Sequence, residues 1–138
     1  MLLWATLLDR LGLRPTVGQR GERAAAAHLR RHGYRILHRN LRNRYGEVDL
    51  LAEAPDRRTI CVTEVKAREI IGNPAAAPRP EVHVNRHKQR KLVALAVQLV
   101  RAYRLADRPV RFDVVGVDLP RGAPPIVRHH PGAFESHI

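Results

Sequence analysis

The stretch Tyr45-Gly-Glu-Val-Asp-Leu-Leu-Ala-Glu53, Ala54-Pro-Asp-Arg-Arg58, Thr59-Ile-Cys-Val-Thr-Glu-Val-Lys-Ala-Arg68 decides how this chain is read. It reads as a β-hairpin with three acids and a lysine on one face. Side chains two apart on a strand share a face, so Glu47 and Asp49 point one way and Glu64 and Lys66 also share a side. If Pro55 to Arg58 make a four-residue loop, Ala54 pairs with Thr59. That register sets Asp49 opposite Glu64 and Glu47 opposite Lys66. Directly opposed antiparallel residues lie on one face, with Cβ atoms roughly 4.5–5.5 Å apart. Two opposed carboxylates repel unless a cation or a shared proton relieves them, and a divalent metal is the expected relief.

Composition narrows the partner. A chain of 138 residues suits one domain with a real core, here a short extension over residues 1–17 followed by a single domain over 18–138. Lys and Arg number 25 against 13 acids, a net charge of +12 that suits a polyanion such as nucleic acid. Part of that excess is an arginine habit, because only 3 of the 25 cations are Lys. Position 66 breaks the habit. Arginine cannot release its proton at accessible pH, whereas a lysine ammonium can be tuned and offers a compact charge. The lone Cys61 excludes an internal disulfide, and its parity turns it away from Glu64 as a small buried hydrophobe. The opening Met1-Leu-Leu-Trp-Ala-Thr-Leu-Leu8 is too short for a membrane span and has no basic leader, so no membrane association and a cytoplasmic protein are expected.

Outward from the hairpin, Gln19 to His32 is expected as a helix ended by Gly33, with Glu22, Ala25, Ala26 and Leu29 on one inward stripe. Tyr34 to His38 is expected as a first strand, joined to the hairpin by a basic connection from Arg39 to Arg44. Gly72 to Pro80 is a proline-broken loop. Asn85 caps a second helix reaching about Leu105, with Leu92, Leu95, Ala96, Leu99 and Tyr103 inward. Val110 to Leu119 alternates as a strand, and Ile126 to His129 is a last edge strand. The order predicts an α/β fold, a mixed central β-sheet flanked by helices.

These residues carry a resemblance. Gly18-Gln-Arg-Gly-Glu22, Gly33-Tyr-Arg-Ile-Leu37, Arg39-Asn40, Gly46-Glu-Val-Asp-Leu-Leu51, Glu64-Val-Lys-Ala-Arg68, Lys88-Gln-Arg-Lys-Leu92, Phe112-Asp-Val114 and Ala133-Phe134 together resemble the UPF0102 family over roughly residues 18–135. That bacterial family is similar to archaeal Holliday-junction resolvases and other PD-(D/E)xK nucleases. The resemblance implies a restriction-endonuclease-like core with Glu22, Asp49, Glu64 and Lys66 at its site positions. It also implies a Mg²⁺- or Mn²⁺-dependent endonuclease acting on DNA, with branched or repair intermediates as the expected substrates. Thr63 departs from the apolar residue usual before the Glu, but parity turns it to the far face.

The chemistry fits those residue types. Mg²⁺ takes oxygen ligands and keeps several waters, so Asp49, Glu64 and a main-chain carbonyl such as that of Val65 suffice with a substrate phosphate. Lys66 would orient or deprotonate the attacking water, and Glu22 would act from the helix side. Arg42, Arg44, Arg68, Lys88 and Gln89 are the expected nucleic-acid contacts. Each has a plainer reading. Asp49 and Glu64 fit a solvated hairpin face, Lys66 a pair with Glu47, Glu22 a first-turn acid favoured by the helix dipole, and the arginines ordinary solvation. Glu47 reads equally as a support residue. His83 and His87 have zinc-compatible i, i+4 spacing but no third ligand, so solvation is the better reading. Two other classes stay open: a non-catalytic nucleic-acid-binding module on a nuclease fold, and an RNA-directed nuclease. A homodimer is also admitted.

Overall fold

Pro55 to Arg58 turn the chain because the Asp56 carboxylate accepts the Arg58 N–H at 2.9 Å, the Thr59 N–H at 2.8 Å and the Thr59 hydroxyl at 2.6 Å. The Ala54 N–H then donates to the Thr59 carbonyl at 2.9 Å. This is the four-residue loop expected, and its register follows: Glu53 faces Ile60, Ala52 Cys61, Leu51 Val62 and Leu50 Thr63. In the computed structural model, which describes residues 7–8, 10–44, 46–73, 78–82, 84–105 and 107–134, the ladder goes no further. Where Asp49 and Glu64 would continue it, the Asp49 carboxylate takes the Val65 N–H at 2.7 Å. The site therefore begins where strand pairing ends.

The hairpin strands are β2 (Gly46–Glu53) and β3 (Ile60–Ile70). With β1 (Arg35–Asn43), β4 (Val110–Pro120) and β5 (Ile126–Phe134) they form one sheet in the order β1-β2-β3-β4-β5. Only β3 and β4 run parallel, a pairing that requires a crossover, and the helix α2 (Arg86–Ala102) lies in that crossover. The helix α1 (Val17–Arg31) precedes the sheet. Strand alternation divides the core. Val62 and Phe112 face Leu92, Leu95, Ala96 and Leu99 of α2, whereas Leu50, Val115 and Val117 face Ala25, Ala26 and Leu29 of α1. The expected mixed sheet flanked by helices, compatible with a restriction-endonuclease-like core, is what the chain forms.

Element ends moved for local reasons. Helix α1 starts two residues early because Thr16 and Gln19 close a capping box. Strand β1 absorbs the basic stretch expected as a connection, with an irregularity between Ile36 and His38 and Asn40 at φ 51°. Exposed charge there marks an edge strand. Strand β5 likewise runs on through Pro131, which an edge tolerates. Helix α2 stops at Ala102. Tyr103 is 41 % exposed rather than inward and lies against the His38 ring at 4.5 Å. Within the proline-broken loop, residues 74–77 lie outside the described set, as do residues 1–6 of the extension and His83.

Candidate metal and nucleic-acid site

Asp49 on β2, Glu64 and Val65 on β3, and Lys88 and Lys91 on α2 line one cavity of about 340 Å³, with Leu92 and Leu95 as its apolar wall. Glu64 is buried, 6 % exposed. Its Oε1 lies 3.6 Å from Lys66 Nζ and in direct contact with Lys88 Nζ. Asp49 is half-buried. Burial and then the Glu64 charge push its carboxyl up to about 7, with Glu22 and Glu47 adding to the rise against the Val65 N–H. Burial, then the neighbouring Lys88, pulls the Lys66 ammonium below its ordinary value, opposed by Glu64. Lys88 moves the other way. Burial opposes its charge, yet the Glu64 carboxylate holds it above the ordinary lysine value.

The remaining expected residues divide. Glu22 is half-buried on α1 and close enough to raise Asp49, but it lines the adjoining groove with Arg23, Arg39 and Asn40. Glu47 borders the cavity and pairs across the β1–β2 ladder with the exposed Arg42 at 3.2 Å. The expected Glu47–Lys66 pair is thus replaced by Lys66–Glu64, because the β2–β3 ladder ends before Glu47 is reached. Arg68 is turned inward, donating to Asp118 at 2.8 and 3.3 Å and to the Pro78 carbonyl at 2.6 Å. Gln89 spends its amide on the Val84 carbonyl at 2.8 Å, closing the turn that starts α2. Arg44 is exposed in the β1–β2 turn. Cys61 is buried on the α1 side, where burial and then the Asp113 charge push its thiol up to about 12. Thr63 is also fully buried, and its hydroxyl is the one buried polar side-chain atom among the described residues with no hydrogen-bond partner.

A buried ionic network escaped sequence reading. Arg128 of β5 donates to Glu81 at 2.5 and 3.1 Å and to Asp118 at 2.9 and 3.0 Å. With Arg68 on Asp118, it ties the loop before α2 to the sheet. A Cβ on Gly116 would fall 1.9 Å from Glu81 Oε2, so Glu81 lies where β4 has no side chain. The available signal was that isolated glycine within a strand pattern.

Among the described residues no three His, Cys, Asp or Glu side chains converge on one point. The protein's donor set is two carboxylates with Val65 beside them. That set fits a hard divalent cation such as Mg²⁺, which takes one or two carboxylates and fills its remaining positions with water and substrate oxygen. Asp49 is raised first by burial and then by the Glu64 charge, and a cation held between the two carboxylates would relieve both effects.

The sequence is similar to bacterial proteins over most of its length. A UPF0102 protein of Trichlorobacter lovleyi is 40% identical over 120 residues, covering 86% of this chain and 90% of its own. A UPF0102 protein of Geobacter metallireducens is 37% identical over 120 residues, covering 87% and 93%, and one of Myxococcus xanthus is 38% identical over 119 residues, covering 86% and 89%. The family model described as uncharacterised protein family UPF0102 matches residues 21–117, the span from α1 through the site to β4, and the chain belongs to that family.

Proposed function

We propose that the protein is a Mg²⁺- or Mn²⁺-dependent endonuclease that hydrolyses phosphodiester bonds in DNA, with branched intermediates as its preferred substrates. The observation that carries this reading is the meeting of Asp49, Glu64 and Lys66 where the β2–β3 ladder ends, with Asp49 raised to about 7. Asp49, Glu64 and the Val65 carbonyl would hold the ion. Bound there, it supplies Lewis-acid polarisation of the phosphate and a more acidic water. Lys66 beside Glu64 would orient the attacking water and, from its neutral form, accept the proton that water loses as oxygen bonds to phosphorus; the ester P–O bond breaks and the leaving oxygen takes a proton from solvent. Glu22 adds negative charge from the helix side and helps orient that water.

The nucleic-acid part rests on charge. The net +12 includes two open grooves beside the start of α1, one of about 1060 Å³ carrying Arg14, Arg20 and Arg121, the other of about 400 Å³ carrying Arg14, Arg23 and Arg39 beside Glu22. The test is cleavage of linear, flap, junction and single-stranded DNA, and of RNA, with Mg²⁺ or Mn²⁺. Cleavage of DNA that Asp49→Asn removes is expected. Calorimetry should show Mn²⁺ binding that Asp49→Asn and Glu64→Gln each abolish. Metal binding without cleavage would leave a binding module, and cleavage of RNA alone would overturn DNA as the substrate.

A further inference from the structure

Glu64 is approached by two ammonium groups of different origin. Lys66 comes from its own strand and is held at 26 % side-chain exposure. Lys88 comes from the first turn of α2 and is 39 % exposed, with its Nζ on Glu64 Oε1. Its main chain is fixed, since Asn85 Oδ1 accepts the Lys88 N–H at 2.9 Å, but its four-carbon stem is not. A cation is thus already in place on a carboxylate that the proposed ion needs. A monovalent and a divalent charge on one carboxylate oxygen repel, and within a half-buried cavity that repulsion is weakly screened.

We propose that Lys88 is a tethered counter-ion that competes with the divalent metal for Glu64 and is drawn off by a nucleic-acid phosphate, so that metal and nucleic acid bind cooperatively. The proposal rests on the metal-nuclease reading above and adds its regulation. Without a polyanion, Lys88 neutralises Glu64 and keeps metal affinity low. A phosphate at the cavity mouth gives the ammonium another anion, and Glu64 is released to the ion. The stem can make this swing while the cap at Asn85 stays closed. Linkage makes the effect reciprocal: whatever factor the nucleic acid adds to metal affinity, the metal adds to nucleic-acid affinity.

The test is Mn²⁺ calorimetry on the full chain, with and without a short hydrolysis-resistant phosphorothioate duplex, the duplex-alone heat being subtracted. Wild-type protein should bind Mn²⁺ about tenfold more tightly with the duplex, within the roughly 5–150-fold range usual for coupled sites. Lys88→Met should bind Mn²⁺ about that much more tightly without the duplex, and the duplex should then add less than it adds to wild type, the remainder coming from phosphate oxygen on the ion itself. Lys88→Arg, which keeps the charge, should resemble wild type. If wild type binds Mn²⁺, Asp49→Asn does not, and the duplex leaves wild-type affinity unchanged, the Lys88 proposal is overturned while the metal site stands. Equal or weaker binding by folded Lys88→Met overturns it in the same way. Mn²⁺ binding that ignores Asp49→Asn removes the metal reading and this proposal together. Should Lys88→Met fail to fold, Lys88→Gln, which also removes the charge, takes its place in the same comparison.

Discussion

Asp49 is the residue through which pH acts on the site. Burial and Glu64 raise its carboxyl from the ordinary 3.8 to about 7, so the folded chain keeps a proton that the unfolded chain releases. A raised folded value gives stability that is complete below about 3.8 and is lost as pH rises to about 7. The Tm of the metal-free protein relative to that of Asp49→Asn should therefore fall across this window and level off above it. Parallel Tm profiles for the two proteins would assign the perturbed acid elsewhere. Saturating Mn²⁺ should offset the fall, because the ion prefers the ionised carboxylate. Lys66 gives a second prediction. Lys66→Arg keeps the charge beside Glu64 but blocks proton release, so it should fold and bind DNA while cleavage drops by roughly 10²–10⁴-fold, the range for a positioned acid–base group. Cleavage at the wild-type rate would reduce Lys66 to an ion-pair residue. Strand parity together with the register set by a four-residue loop made Asp49, Glu64 and Lys66 legible as neighbours. The contact of Lys88 with Glu64 was not legible, because it depends on where α2 begins in space, and that is set by Arg128, Glu81 and Asp118 on other elements.

Helix α1 reaches the site by lying unusually close to β3. A Cβ added to Gly21 would fall 2.3 Å from the Ala67 Cβ, a separation no real pair of methyl carbons adopts, so glycine there lets the next residue, Glu22, approach Asp49. Gly21→Ala should force helix and strand apart at a cost of about 1–3 kcal/mol, the usual range for overpacking a filled core. The double change Gly21→Ala, Ala67→Gly should recover most of that loss in denaturant unfolding. A double mutant that unfolds as readily as Gly21→Ala would show that the contact is not what limits the approach. The alanine stripe of α1 was readable from its spacing, and so was the hairpin register, because loop length fixes it. The full lengths of β1 and β5 were not. Charged and proline-containing edges give the same signal as loops, and only pairing to the neighbouring strand distinguishes them.

At the scale of the molecule, the sheet face under α2 has an apolar half and an ionic half. Val62 and Phe112 meet the leucines of α2, while farther along the same strands Arg68 pairs with Asp118, and Arg128 of β5 joins Asp118 to Glu81. Buried charges persist only when mutually satisfied, so these arginines hold the crossover loop in place. The exposed Arg23, Arg39 and Arg121 on the grooves have the opposite setting. A net charge of +12 read from sequence does not separate the two kinds of arginine, because burial is a property of the fold. Salt dependence does separate them. Each phosphate neutralised on duplex DNA contributes a slope of about −0.9 to log affinity against log salt. Arg39→Ala and Arg121→Ala should each make the slope shallower by about that amount with Tm little changed. Arg128→Ala should instead leave Glu81 and Asp118 buried without their shared cation and lower Tm sharply, while the slope of the protein that remains folded is unchanged. If the groove arginines do not alter the slope and Arg128 does, the polyanion path runs over the β5 edge and the two grooves are not part of it.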